Sequence, residues 1–230
     1  FFEKILGRNL KYSCCFWEDE LSYKKLVKQN DLIDRLDRAE DKMLQLSAER
    51  AEIKNGQNIL ELGCGWGSFS FYLARRYEDS RIIAVSNSKD QINYINKLAA
   101  RNKIDNLRAV KADINNFDTD AKFDRVVSIE MFEHMKNYQK LLAKISKFLN
   151  EDAKLFVHIF SHKFYPYNYQ DSKNTDWMAR YFFTGGTMPS QDLLHYFNDH
   201  LTIENQWAVS GEHYQKTLES WLKIMDQKKD

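Results

Sequence analysis

Residues 58–68, NILELGCGWGS, decide the fold: an apolar run (Ile59, Leu60, Leu62) passes straight into glycine at every second position, Gly63, Gly65 and Gly67. The residues that follow, FSFYLARRY, carry apolar side chains at helical spacing (Phe69, Tyr72, Leu73, Tyr77), so the order is strand, glycine turn, helix. Such a turn lets backbone approach a nucleoside with no Cβ in the way, and the helix N-terminus offers free N–H groups to the same space. The spacing argues against one ligand class. A dinucleotide fingerprint needs its third glycine at position 68, where this chain has Ser68, with Gly67 one residue earlier; the resulting G-x-G-x-G pattern does not suit a pyrophosphate. The next strand, RIIAVSNS (81–88), ends in Ser86 and Asn87 rather than in an acidic residue, and these polar groups can bind a ribose less specifically. A glycine turn with no ligand is the plain alternative.

At 230 residues and 43% hydrophobic content, the chain suffices for one compact domain with a sizeable core. The net charge is +1 with acids and bases interspersed, so no polybasic face advertises nucleic acid or an anionic membrane. Three cysteines, Cys14, Cys15 and Cys64, are too few and too badly placed for a disulfide framework and suit a reducing cytoplasm. No apolar run is long enough to span a bilayer, and no secretory pattern is present.

Outward from the glycine loop, residues 21–54 read as one or two amphipathic helices closed by Asn55-Gly56, so 1–54 forms a helical cap and 55–230 the core. Strands at 58–62, 81–86, 106–111, 123–129 and 153–160 alternate with helices at 68–77, 88–101 and 134–148. That alternation predicts an α/β doubly wound, mostly parallel sheet of Rossmann-like type, with ligands at the carboxyl ends of its strands. The connection 161–187, rich in aromatics from Phe164 to Phe183 and ending in Gly185-Gly186, is too long for a turn and reads as a lid or substrate wall. A helix near 190–199, a strand over LTIENQWAVS (201–210) and a helix at 213–225 complete the pattern.

Four separated segments, the glycine loop, SIEMFEHMKNY (128–138), RYFFTGGTMPS (180–190) and HYQKTLESWL (213–222), together resemble the cyclopropane-fatty-acid (mycolic acid cyclopropane) synthase superfamily, most closely its coclaurine N-methyltransferase-like branch. The resemblance spans essentially the whole chain and implies a class I methyltransferase fold using S-adenosylmethionine, with S-adenosylhomocysteine as product and no metal. Members carry more sequence before Phe1 and a final strand after the last helix, so the expectation is a chain trimmed at both ends. By the same resemblance Gly63, Gly65 and Gly67 line the methionine moiety and Asn87 and Gln91 reach the ribose. Asp113 and Ile114 flank the adenine, and Tyr12 and Ser13 close over the cofactor from the cap.

Glu130, Glu133 and His134 stand at i, i+3 and i+4 where the fourth strand meets a helix, so all three are expected on one side. An alkylammonium, with a pKa of roughly 10, has no lone pair until it loses a proton. A carboxylate and imidazole can take that proton. A helix-start glutamate with a capping histidine is the structural alternative. The resemblance separates two chemistries: amine methyltransferases carry Glu at the position of Glu130, whereas the lipid enzymes carry a small residue there and hold a bicarbonate base. The matching bicarbonate shell, Cys14, Glu133, His158 and Tyr214, is present in this chain. Phe160 replaces an aliphatic member of that shell, and Thr184 stands where the lipid enzymes usually have proline. The leading expectation is N-methylation of a small, aromatic-bearing amine, without nucleic-acid partners. Methylenation of unsaturated acyl chains, with peripheral membrane contact, is the alternative; a cofactor-binding module without catalysis is a second. His158 and His162 lack a third ligand for a metal. Cys14 lacks a base that would make it a nucleophile, and the 164–177 aromatics read either as core or as a cage for an amine cation.

Overall fold

Parallel strands covered on both faces need side chains that are apolar in both directions, and the run from 58 to 62 meets that need. The computed structural model of the chain describes residues 2–18, 29–170, 177–183 and 185–228, and in it Asn58–Leu62 is strand β1. Ile59 packs with Phe69, Leu73 and Ile95 on one face of the sheet, while Leu60 and Leu62 pack with Val126, Leu141 and Ile145 on the other. Alternation along a single strand thus joins a helical layer to each face.

Two helices, α1 (Phe2–Ile5) and α2 (Gln29–Arg50), precede β1. Then follow α3 (Ser68–Arg76), β2 (Arg81–Ser86), α4 (Lys89–Arg101), β3 (Leu107–Lys111), β4 (Phe123–Ile129), α5 (Tyr138–Ser146) and β5 (Leu149–His158). The sheet order is β3-β2-β1-β4-β5 with every pairing parallel, the doubly wound sheet expected from the sequence. Its order reverses between β1 and β4, so the carboxyl ends of these two strands flank the crevice in which such sheets bind ligands. Beyond β5 come a two-residue antiparallel ladder, β6 (Tyr167–Asn168) with β7 (Thr187–Met188), a short helix α6 (Trp177–Tyr181) and a long one, α7 (Gly211–Gln227). No described helix is long and apolar enough to cross a membrane.

Several expected elements differ. The helix expected over 134–148 is a 3-10 turn, Phe132–His134, followed by α5. Met135 is extended (φ −102°, ψ 149°), and Asn137 starts α5 afresh by accepting the Lys140 N–H on its side chain. The helix expected near 190–199 shrinks to one 3-10 turn, Leu193–Tyr196. The strand expected over 201–210 does not form. Those residues are irregular and mostly exposed, held by contacts such as Lys154 Nζ to Glu204 (2.6 Å) and Arg50 over Trp207 (5.0 Å), and no described strand pairs with them. Residues 21–28 of the expected helical cap, and Thr184, lie outside the described residues.

The opening segment is threaded into a core. Leu6, Leu10, Cys15 and Trp17 pack with Leu36 of α2 and with Trp221 and Ile224 of α7. Thr217 Oγ1 accepts both the Cys15 N–H and the Trp17 indole N–H at 3.1 Å. Removing residues 1–20 would therefore strip a hydrophobic cluster, and point substitutions are the cleaner probe of this segment.

Two buried carboxyls link the fold to pH. Glu61, inside the apolar run of β1, faces α3 and accepts the Ser70 hydroxyl; burial pushes its pKa up to about 7. Glu40 in α2 is likewise pushed up to about 7 by burial, against the opposing pull of the Asn9 N–H and Lys11. A carboxyl raised on folding stabilises the fold fully below its unfolded pKa of about 4.3, and this contribution is lost as pH rises through the folded value. Denaturant unfolding is expected to show stability falling between about pH 5 and about pH 7.5, each such carboxyl adding a slope of at most about 1.4 kcal/mol per pH unit. Glu61→Gln cannot ionise and should flatten part of that slope; an unchanged slope would show that Glu61 does not titrate in this range.

Candidate active site

The three glycines after β1 all have positive φ: +80° at Gly63, +53° at Gly65 and +85° at Gly67. A Cβ at Gly63 would stand 2.7 Å from the Met131 side chain and one at Gly67 would stand 2.8 Å from Ile95, so packing as well as conformation requires glycine at both. At Gly65 a Cβ would meet nothing within 4 Å. The middle of the loop therefore fronts open space of the kind a ligand laid against backbone would fill. The loop is pinned to β2 by the Gly63 and Cys64 N–H groups, which donate to the Val85 carbonyl at 2.9 and 3.0 Å.

Of the other expected cofactor contacts, Asn87 and Gln91 follow the end of β2 and Asp113 and Ile114 the end of β3, while Tyr12 and Ser13 lie in the opening segment. Asn87 is exposed just beyond β2. Ser86 Oγ donates to Gln91 Oε1 at 2.7 Å, so a ribose contact from Gln91 would run through its NH2 group. Asp113 Oδ1 accepts two bonds from Asn115 at 2.9 Å, which fixes the carboxylate, and Ile114 packs beside it on the second-face core. The Tyr12 ring lies 4.8 Å from Phe2, 5.4 Å from Trp221 and 6.5 Å from Phe182. Ser13 is buried and its hydroxyl accepts from Lys11 Nζ at 2.5 Å.

Across the crevice, at the end of β4, Glu130 adopts φ +49°, a conformation that L residues enter at a cost of about 1–2 kcal/mol. Its carboxylate is held on both oxygens: the Cys14 N–H donates to Oε1 at 2.8 Å and the Tyr214 hydroxyl to Oε2 at 2.9 Å. His158 Nε2 stands 4.0 Å from Oε1. Burial, with Lys11 and Arg50, pushes His158 down to about 3, so this imidazole is neutral and the contact is no ion pair. Cys14, His158 and Tyr214, three of the four residues of the expected shell, are thus gathered around the Glu130 carboxylate.

Glu133 sits beside Glu130, almost wholly buried (1% exposed), with its Oε2 lacking a partner among the described residues. Burial first, and the neighbouring Glu130 second, raise its pKa well above the carboxylate range. Burial also raises Glu130, but Lys11, the Cys14 N–H and the Tyr214 hydroxyl pull it back. Burial raises both carboxyls, and Glu133, with the unequal surroundings, holds a proton more readily than Glu130.

His134 departs from the expected arrangement. In a 3-10 turn successive side chains point about 120° apart. Glu133 therefore turns inward while His134 turns to the rim, where it is exposed and stacks on Phe183 at 5.5 Å. It makes no hydrogen bond with either carboxylate among the described residues, and partial desolvation lowers its pKa. Phe160 lies 5.3 Å from Phe183 and 6.3 Å from Tyr214, and Tyr169 stacks on Phe183 at 4.8 Å. These three rings form the wall of the site. By contrast Phe164, Tyr165, Tyr167 and Trp177 are exposed and do not serve as core. Gly186 lets the wall close on the turn, since a Cβ there would meet the Glu133 carbonyl at 2.7 Å.

Burial, reinforced by Glu130, pushes the Cys14 thiol up to about 12, so it is no thiolate nucleophile. His162 Nδ1 accepts the Phe164 and Tyr165 N–H groups, and no group of three metal-ligating side chains gathers among the described residues. Four buried charged residues, Lys11, Glu40, Glu61 and Arg125, are not singled out by the sequence. Glu61 had a signal, an acid inside an apolar strand run; Lys11, flanked by ordinary residues, had none.

The parallel sheet, with its glycine loop and buried carboxyl pair facing each other across the switch point, defines a class I methyltransferase fold. The chain belongs to the mycolic acid cyclopropane synthetase family of S-adenosylmethionine-dependent methyltransferases, whose model matches residues 1–230. It is 39% identical over 228 residues to the (S)-coclaurine N-methyltransferase of Thalictrum flavum subsp. glaucum, covering 98% of this chain and 60% of that protein. To the (S)-tetrahydroprotoberberine N-methyltransferase of Eschscholzia californica it is 36% identical over 229 residues, 99% of this chain and 62% of the relative. A crystal structure of coclaurine N-methyltransferase bound to N-methylheliamine and SAH superposes with a TM-score of 0.88 at 37% identity, covering 99% of this chain and 64% of that one. The chain thus spans about three-fifths of the length of these curated relatives.

Proposed function

We propose that the protein is an S-adenosylmethionine-dependent methyltransferase acting on the nitrogen of a small, aromatic-bearing amine. The observation that carries this reading is Glu130: a carboxylate belonging to the chain occupies the place for which the lipid chemistry would need a borrowed base. The N-methyltransferases among its relatives, and the SAH and N-methylated amine in the related crystal structure, support it.

S-adenosylmethionine, when bound, supplies an electrophilic sulfonium methyl and leaves as S-adenosylhomocysteine. Gly63, Gly65 and Gly67 present a backbone surface without side chains to it; Asn87 and Gln91 offer donors to the ribose, Asp113 and Ile114 flank the base, and Tyr12 and Ser13 close from the opening segment. A ligand with no phosphate suits the G-x-G-x-G loop. The Glu130 carboxylate provides the negative charge that draws an ammonium into a site walled by Phe160, Tyr169 and Phe183, whose π faces favour the cation. His134, neutral and open to solvent at the rim, takes the ammonium proton with Glu130 and passes it to water, which leaves the nitrogen lone pair free. Positioning then supplies most of the rate.

The reading is tested by methyl transfer to an amine panel across pH, with and without bicarbonate. Turnover is expected to rise with pH and to be indifferent to bicarbonate. His134→Ala should lose turnover near neutrality and keep its cofactor affinity. A bicarbonate-dependent rate would favour acyl-chain chemistry, and cofactor binding with no turnover of any acceptor would favour a non-catalytic module.

A further inference from the structure

Resting on the amine reading above, we propose that Lys11 is a positioning residue of the reaction: its buried ammonium fixes the 13–14 backbone against Glu130 and supplies the counter-charge to that carboxylate. Lys11 is only 1% exposed. Its Nζ donates to Ser13 Oγ at 2.5 Å and to the Cys14 carbonyl at 2.6 Å, and the Cys14 N–H in turn donates to Glu130 Oε1 at 2.8 Å. The chain enters this arrangement through Leu10 at φ +50°, a strained conformation for a leucine that the packing around it holds in place.

Burying a cation is costly even after relaxation, and a neutral amide could donate to Ser13 and the Cys14 carbonyl as well. A charge at this place has a use only toward an anion. No described ion pair within 4.0 Å includes Lys11, so its charge acts through the low-dielectric interior on two buried carboxyls, Glu130 at the site and Glu40 in α2. The other titratable groups around Glu130 offer it no positive charge. Cys14 from the opening segment is a thiol, Glu133 from the 3-10 turn favours the proton, His158 from β5 is neutral, and the Tyr214 hydroxyl from α7 is raised by burial. Lys11 likewise faces Cys15, whose thiol burial also raises. Arg50 of α2 acts on the neighbouring His158, whereas Lys11 is the described cation that acts on Glu130 itself and favours its ionised form as an amine approaches.

The test compares the pH dependence of kcat/KM for Lys11→Met with that of the unaltered protein, using the best substrate of the amine panel. The expected result is an acid limb moved to higher pH by one pH unit or more, so that activity near neutrality falls about tenfold or more and returns as the pH is raised, with cofactor affinity within about twofold. In a Glu130→Gln background, Lys11→Met should shift nothing further. Lys11→Gln keeps a donor without the charge and should behave like Lys11→Met. Activity reduced by one factor at every pH would assign Lys11 to packing and overturn the proposal. A carboxyl-13C NMR titration of the unaltered protein, with the Glu130 signal assigned by its loss in Glu130→Gln, reads the same point even if the Lys11 variants fail to fold. Glu130 ionised and Glu133 protonated near neutrality supports the proposal; Glu130 protonated there overturns it. Failure of the unaltered protein to methylate any amine would instead strike the functional reading, and the Glu130 titration compared between the unaltered protein and Lys11→Met would decide the role of Lys11, an unmoved titration overturning it.

Discussion

Glu130→Gln is expected to lower amine methylation by about a hundred- to ten-thousand-fold, the usual worth of a positioned acid–base group, with cofactor affinity unchanged. The amide keeps the length of the side chain and an acceptor for the Cys14 N–H or the Tyr214 hydroxyl, but it carries no charge for the ammonium. Glu130→Gly extends the test. It relieves the +49° φ, worth about 1–2 kcal/mol, and empties the place between Cys14, His158 and Tyr214 without removing the donors around it. Added formate or bicarbonate should then restore part of the lost rate. Full activity in Glu130→Gln would show that this carboxylate takes no part in preparing the amine.

Gly65→Val is expected to abolish cofactor binding, a loss of more than about a hundredfold, or about 2.7 kcal/mol. Its branched side chain would fill the open space against which the backbone presents the ligand. It also forces valine to φ +53°, so a matched control is needed. Gly56 supplies one: its φ is +86°, a Cβ there also meets nothing within 4 Å, and it lies in the turn at the opposite, amino end of β1. Gly56→Val should bear comparable strain and keep full affinity. Calorimetry on both variants separates the two effects, and normal binding by Gly65→Val would remove the loop from the cofactor site.

The sheet was legible because strands covered on both faces must be continuously apolar. That requirement marks β1, β2 and β4 in the sequence, and glycine spacing marks where β1 ends. The segment at 201–210 has strand propensity in Thr202, Ile203, Trp207 and Val209, yet propensity alone forms no strand: β5 is an edge of the sheet and its Lys154 reaches Glu204, but no described ladder joins the two. At the site, residue types in the 130–134 segment gave the carboxyl pair. They did not give the geometry, because Glu130 stands in left-handed backbone before the turn and Met135 is extended after it, so the helical i, i+3, i+4 spacing does not apply. The left-handed backbone at Leu10 and Glu130 left no mark in the sequence, since tertiary contacts alone hold non-glycine residues there. Lys11 reads as a surface lysine until its surroundings are seen.

Whether Glu130 equips this site for amine rather than acyl-chain chemistry is decided by one competition. The protein, given methyl-labelled S-adenosylmethionine, is offered the amine panel and unsaturated phospholipid vesicles together, with and without bicarbonate, and the products are separated by mass spectrometry. Label is expected on an amine nitrogen, in equal amount with or without bicarbonate, and none on lipid. Label on the acyl chains that depends on bicarbonate, with every amine unlabelled, would contradict it.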